Sequence, residues 1–176
     1  MKTTIYIFFL ILLFSNGKAQ QSQSVDSKNS ISNNFNKQQI SAYQNGSLEK
    51  FEQFAEYFNL IQETQDSELK EQLKQNVFSL FENPETEIID FFASNEKITV
   101  RQFLNKYQNS NQIIKVISMK SDVSIFQNFW INIYQIIDNS GEIITLKQTI
   151  IFQKQEKKFG KNSKEVWEIK LGTLEL

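Results

Sequence analysis

The chain has 176 residues, with 19 lysine and arginine side chains against 20 aspartate and glutamate side chains, and it contains neither cysteine nor histidine. This length allows one ordinary domain, and a hydrophobic share of 40% that includes 16 phenylalanines is enough to build a core. The missing residue types exclude a zinc finger, a thiol nucleophile, a disulfide framework and a Ser-His-Asp triad, and the near-neutral charge argues against a nucleic-acid-binding surface.

The first 19 residues have the features of a secretory signal peptide. A basic start at Lys2 precedes an apolar run from Ile5 to Phe14, and Gly17 and Ala19 occupy positions −3 and −1 of a cleavage after residue 19. The run is about half of the ~20 residues needed to span a bilayer. We therefore expect an exported protein, periplasmic or extracellular, with no stable membrane anchor; without a cysteine after the run, it is not a lipoprotein. A retained short anchor is the alternative.

Residues 20–46 are predicted to form a flexible linker. Gln, Ser and Asn dominate this segment, and its few apolar residues have no sustained period. Such a segment cannot bury enough surface to offset the entropy of ordering it. The alternative is that the residues from Phe35 to Tyr43 begin the first helix. The predicted organisation is thus a signal peptide over residues 1–19, a linker over 20–46 and a single domain over 47–176.

An amphipathic helix is predicted to open the domain. It begins at the N-cap Ser47 and ends near residue 63. Phe54 and Phe58 belong to its apolar stripe, which is expected to face a sheet, whereas Gln53 and Asn59 lie off the stripe. Replacing either of the last two residues is therefore expected to change stability little.

The rest of the domain is predicted to continue with helices and then with strands. The predicted elements are a helix over residues 67–82, a strand over 87–92, a turn over 94–97, a short helix over 99–107, strands over 113–120, 129–137, 142–154 and 165–174, and a polar loop over 155–164. Thr99 and Gln102 fit a capping box at the start of the short helix. Helices followed by hairpin-connected strands predict an α+β domain, with a curved antiparallel sheet packed on the helices.

This order of elements resembles that of the NTF2-like (SnoaL-like) superfamily. The segments that carry the resemblance are SLEKFEQFAEYFNLI, EIIDFF, ITVRQFLNKY, NFWINIYQI and EVWEIKLGTLEL, within residues 47–176. The resemblance implies a conical cavity between helices and sheet, and often a homodimer through the sheet. It implies no single function, because this fold hosts isomerases, cyclases, dehydratases and non-catalytic binders. A cystatin-like arrangement is the alternative fold.

Asp90 is the candidate general base. Members similar to ketosteroid isomerase or the polyketide cyclases use a cavity carboxylate or histidine to move a proton, and histidine is absent here. The apolar neighbours of Asp90 could desolvate it. Strand alternation works against this role, because inward-facing Ile89 and Phe91 would place Asp90 outward. We expect the outward register, and hence no catalytic acid in the pocket.

Five aromatic residues are candidates for lining a pocket. They are Tyr57, Tyr107, Trp130, Tyr134 and Trp167. The tyrosines would supply hydroxyl donors, and the tryptophans would stack on a ligand or anchor an interface; core packing is the alternative for all five. The lysines between Lys154 and Lys164 are interpreted as a solvated hairpin tip rather than as an anion site.

The sequence therefore predicts an exported, non-catalytic binding module. Its binding element is expected to be an apolar cone cavity or an aromatic interface, for a small apolar ligand or a protein partner, with no cofactor, metal or nucleic acid. The alternatives are a small proton-transfer enzyme of the NTF2-like type and an envelope-assembly or structural subunit. Converging polar groups in an open cavity would favour the enzyme, and apolar area on the open sheet face would favour the subunit.

Overall fold

A computed structural model describes residues 30–93, 95–125 and 128–176. The predicted signal peptide, residues 1–19, lies outside the described residues. The elements in chain order are α1 (Ile31–Asn34), α2 (Lys37–Glu63), α3 (Ser67–Leu80), β1 (Glu87–Ile89), β2 (Lys97–Thr99), α4 (Val100–Tyr107), β3 (Lys115–Ile125), β4 (Phe129–Ile137), β5 (Ile143–Phe159) and β6 (Asn162–Glu175). None of the described helices is long and apolar enough to cross a membrane.

The strands form one mixed sheet in the order β2-β1-β6-β5-β4-β3, which is open, with β2 and β3 at its edges. The strands β3 to β6 pair antiparallel in succession, whereas β1 runs parallel to β6. Helices and sheet together confirm the predicted α+β class.

The apolar stripe of α2 faces the sheet, as predicted. Phe51, Phe54 and Phe58 are fully buried. The ring of Phe51 stacks on that of Tyr134 in β4, with the ring centroids 3.7 Å apart. Large aromatic side chains contribute most of the buried apolar area in such a core, so this stripe fixes α2 on the sheet.

Helix α2 begins at Lys37, so the predicted linker does not extend to residue 46. Asn36 is its N-cap: the Asn36 side chain accepts from the amide of Gln39, and the Gln39 side chain accepts from the amide of Asn36. Ile31 and Ile40 are buried in the core. The Gln- and Asn-rich residues cover the solvent-facing side of a helix whose other side is apolar. The alternative, a helix that begins between residues 35 and 43, is therefore the better description.

Residues 155–164, predicted as a polar loop, are strand residues joined by a tight turn. Phe159 pairs with Asn162 across residues 160–161. Gly160 has a φ of 64°, at the position where a II′ hairpin turn takes glycine. The pairing of β4 with β5 begins at Phe129 and Ile151, so the hairpin beyond continues as two strands alone. We call residues 153–165 the ribbon; at ~3.4 Å per residue it projects about 20 Å from the sheet.

Candidate functional site

The residues predicted to line a pocket lie in separate places. Trp130 and Tyr134 are fully buried in the core, and Tyr107 lies at the end of α4. Trp167 and Tyr57 are half-buried at the edge of the core, on β6 and α2 respectively. These positions do not form a common pocket.

Asp90 is fully buried, so the expected outward register is wrong. Strand β1 ends at Ile89, and strand alternation therefore no longer decides where Asp90 points. Its Oδ1 accepts a hydrogen bond from the Tyr107 hydroxyl at 2.7 Å, and its Oδ2 accepts one from Lys106 Nζ at 2.6 Å. Its backbone amide donates to the Glu96 carbonyl at 2.8 Å. The carboxylate thus ties the turn between β1 and β2 to α4.

This cluster is better suited to holding the turn than to moving a proton. Burial, reinforced by the hydrogen bond to Asp90, raises the pKa of Tyr107 to about 12, so its hydroxyl stays protonated near neutrality. The hydrogen bond to Asp90 also raises the pKa of Lys106, so its ammonium group stays charged. An effective acid or base has a pKa near the working pH. Both carboxylate oxygens of Asp90 already accept hydrogen bonds, so this candidate base holds the turn against α4.

A buried polar network lies between α2 and the sheet. Ser47 Oγ accepts hydrogen bonds from Trp130 Nε1 at 3.2 Å and from Asn132 Nδ2 at 2.8 Å. Asn132 also donates to the Tyr134 hydroxyl at 3.1 Å, which donates to Gln148 Oε1 at 3.0 Å. Burial raises the pKa of Tyr134. Each of these polar side chains is hydrogen-bonded to another member of the network, so the network specifies how α2 packs on the sheet.

The sequence analysis missed this network, although one signal for it was present. Asn132 alternates in phase with the buried Trp130, and Gln148 alternates in phase with the buried Ile150. A polar residue in the inward phase of a strand predicts a buried hydrogen bond. Ser47, predicted as an N-cap, lies in the middle of α2.

One face of the ribbon carries lysines and an exposed aromatic ring. Lys157 pairs directly with Lys164 across the two strands, and strand alternation places Phe159 on the same face at the tip. The side chain of Phe159 is 54% exposed. Lys157 lies 3.4 Å from Glu168, whereas no described carboxylate lies within 4 Å of Lys164. Like charges directly opposite each other destabilise a sheet, so this face gains from an acidic partner.

The base of the ribbon is anchored by aromatic stacking and carries paired charges. Trp167 stacks on Phe152, with ring centroids 4.7 Å apart, and Lys154 Nζ lies 5.5 Å from the Trp167 ring centroid. Burial, followed by the charge of Lys170, lowers the pKa of Lys50 beside this base. The ribbon is therefore attached to the domain through packed aromatic rings, beside lysines that pair with Glu165 and Glu168.

An acidic groove of about 500 Å³ lies between α2 and the start of β3. Glu52, Glu56 and Glu63 of α2 line one wall, and Ile113 and Val116 provide apolar surface. Ile113 is 43% exposed. Glu52 and Glu56 are four residues apart on a helix, a spacing at which like charges are destabilising. Lys115 also lines this groove. We refer to it below as the acidic groove.

Asn59 joins α2 to β3 within the acidic groove. Its Nδ2 donates to the carbonyl of Ile114 at 2.9 Å, and its Oδ1 accepts from the amide of Ile114 at 2.8 Å. The side-chain amide thus imitates the backbone of a neighbouring strand. This contact corrects the expectation that Asn59, off the apolar stripe, has little effect on stability.

Comparisons with known proteins identify no relative. No protein-family model matches the sequence, and neither curated proteins nor solved structures match it significantly. No cluster of three or more metal-ligating side chains occurs among the residues that the structure describes.

Proposed function

We propose that the protein is a non-catalytic interaction module that binds a protein partner through its surface. The observation that carries this proposal is the ribbon, a projecting hairpin whose one face combines an exposed Phe159 with the directly opposed Lys157 and Lys164. An exposed aromatic anchor beside Lys164, which has no described carboxylate within 4 Å, fits a partner that offers an apolar contact and carboxylates.

Two features favour surface binding over an interior ligand site or proton-transfer catalysis. The space between α2 and the sheet is occupied by the stacked Phe51 and Tyr134 and by the fully buried Trp130. The carboxylate of Asp90 is engaged by Lys106 and Tyr107, and general acid–base catalysis needs a group free to exchange a proton with substrate.

We also propose membership of the NTF2-like superfamily and export from the cytoplasm. The order of two long helices, a short strand pair, a short helix and four long antiparallel strands supports the family proposal over the cystatin-like alternative, which has one helix. The basic start, apolar run and small-residue exit of residues 1–19 support export.

Photo-crosslinking from the ribbon tip tests the interaction proposal. A benzophenone amino acid at position 159 is expected to form an adduct with a protein partner in the host that exports this chain. The matched control places the same amino acid at Gln75, an exposed residue of α3 that belongs to neither the ribbon nor the acidic groove. The adduct at position 159 should disappear in a Lys157→Glu/Lys164→Glu variant. Equal adducts at both positions, an adduct unaffected by charge reversal, or no adduct at all would contradict the proposal.

A further inference from the structure

We propose that the partner of the ribbon is a second copy of this chain, whose acidic groove receives Phe159 and the neighbouring lysines. This inference rests on the proposed function, because it names the partner of the same ribbon. It follows from the placement, the charge and the dimensions of the two surfaces.

The ribbon and the acidic groove lie at opposite ends of the sheet. Lys115, in the groove, pairs with Ile137, and Ile137 pairs with Ile143, the first residue of β5. The ribbon begins after Phe152 and extends away from that end. A chain therefore cannot place its ribbon in its own groove, and contact between these surfaces requires two copies.

The two surfaces have opposite charge. The ribbon contains five lysines and two glutamates, a net charge of +3. The groove is lined by three glutamates and Lys115, a net charge of −2. Each surface also places like charges next to each other, Lys157 opposite Lys164 on the ribbon and Glu52 four residues from Glu56 on the helix. Docking one surface on the other relieves both repulsions.

The dimensions of the two surfaces also agree. Glu52 and Glu63 are separated by about 16 Å along the helix, and the ribbon is about 20 Å long. A groove of about 500 Å³ falls within the ~300–1,000 Å³ range of small-molecule pockets, which is room enough for one phenyl ring. The exposed Ile113 and the half-buried Val116 offer the ring of Phe159 an apolar contact, and the glutamates flank it.

A contact between two different surfaces of identical chains is heterologous. Such contacts close into rings when the rotation between copies permits, and otherwise extend into open chains. Because the attraction is between exposed charges, the association should weaken steeply as the Debye length falls from ~10 Å at 0.1 M salt to ~3 Å at 1 M.

Sedimentation velocity of charge-reversed variants tests this inference. The wild-type chain is expected to form oligomers at low salt that dissociate in about 1 M NaCl. Lys157→Glu/Lys164→Glu and Glu52→Lys/Glu56→Lys should each sediment as monomers, and an equimolar mixture of the two should associate again. A Lys37→Glu/Lys120→Glu variant changes the same charge away from both surfaces and should behave as the wild type.

The mixture also controls for folding, because misfolded variants cannot restore association. A monomeric wild type, or a mixture that stays monomeric, would overturn this inference. If the wild type is monomeric but position 159 still crosslinks to another protein in a charge-dependent way, the proposed function stands with a different acidic partner. If that crosslink is also absent, both proposals fail. Association that survives both reversals would indicate another interface, such as the outer sheet face, and would also overturn the inference.

Discussion

Asn59→Ala is expected to lower the free energy of unfolding by about 2 kcal/mol. The substitution removes both hydrogen bonds between the Asn59 side chain and the backbone of Ile114, each worth about 1 kcal/mol net. Ile114 is almost fully buried, and both of its backbone groups lose these partners. Gln53→Ala is the matched control on the same helix; Gln53 is exposed, and its removal should change stability by less than ~0.5 kcal/mol.

Urea unfolding followed by tryptophan fluorescence measures this difference. The midpoint should fall for Asn59→Ala with an unchanged slope, since the surface exposed on unfolding is the same. In a domain of this size, ~1 kcal/mol corresponds to about 2–4 °C, so the melting temperature should fall by about 4–8 °C.

Asn59→Asp separates the two hydrogen bonds. The carboxylate keeps an acceptor for the Ile114 amide but turns a second oxygen towards the Ile114 carbonyl. The free energy of unfolding of Asn59→Asp should therefore approach that of the wild type as pH falls below ~4, where a protonated carboxyl can donate again. If Asn59→Ala and Gln53→Ala were equally stable, the joining of α2 to β3 by this amide would be wrong.

Three further predictions concern packing and titration. Phe54→Ala and Phe58→Ala should each lower the free energy of unfolding by ~3–5 kcal/mol in urea titrations, and losses below ~1 kcal/mol would contradict their burial in the core. Gly172→Ala should lower the free energy of unfolding by ~1–3 kcal/mol, because the new Cβ would lie 2.9 Å from a backbone carbonyl oxygen. Gly46→Ala within α2 should raise this free energy by up to ~1 kcal/mol. A higher melting temperature for Gly172→Ala than for Gly46→Ala would refute both predictions. Because folding raises the pKa of Tyr107 from 10 to about 12, its contribution to stability is complete below pH 10 and is lost as pH rises towards 12. Tyr107→Phe should remove this part of the fall in unfolding free energy with rising pH. An unchanged fall would show that the hydroxyl titrates normally.

Elements with a strong local pattern could be predicted from the sequence. Strand β4 was predicted over residues 129–137 and has these bounds, because alternation and β-branched residues mark it throughout. The capping box of Thr99 and Gln102 is confirmed at the start of α4, because capping depends on side chains three residues apart.

The errors arose where tertiary structure overrides local pattern. The start of α2 is rich in Gln and Asn, and only packing of Ile40 on the core distinguishes it from a linker. The ribbon has no apolar face, so alternation of lysine with polar residues gave no strand signal. Asp90 lies one residue beyond β1, where the alternation rule ends and contacts with Lys106 and Tyr107, 16 and 17 residues later, decide the orientation. The acidic groove combines residues of α2 and β3, a combination that no local pattern reveals.

Intermolecular paramagnetic relaxation tests the central claim, that the ribbon binds in the acidic groove of a second copy of this chain. The chain contains no cysteine, so Lys158→Cys accepts a single nitroxide on the ribbon, on the face opposite Phe159. The spin-labelled protein, which carries no ¹⁵N, is mixed with ¹⁵N-labelled wild type at low salt. The account predicts amide broadening in residues 52–63 and 113–116 of the ¹⁵N-labelled copy, lost in about 1 M NaCl. No intermolecular broadening, or broadening centred on any other surface, would contradict it.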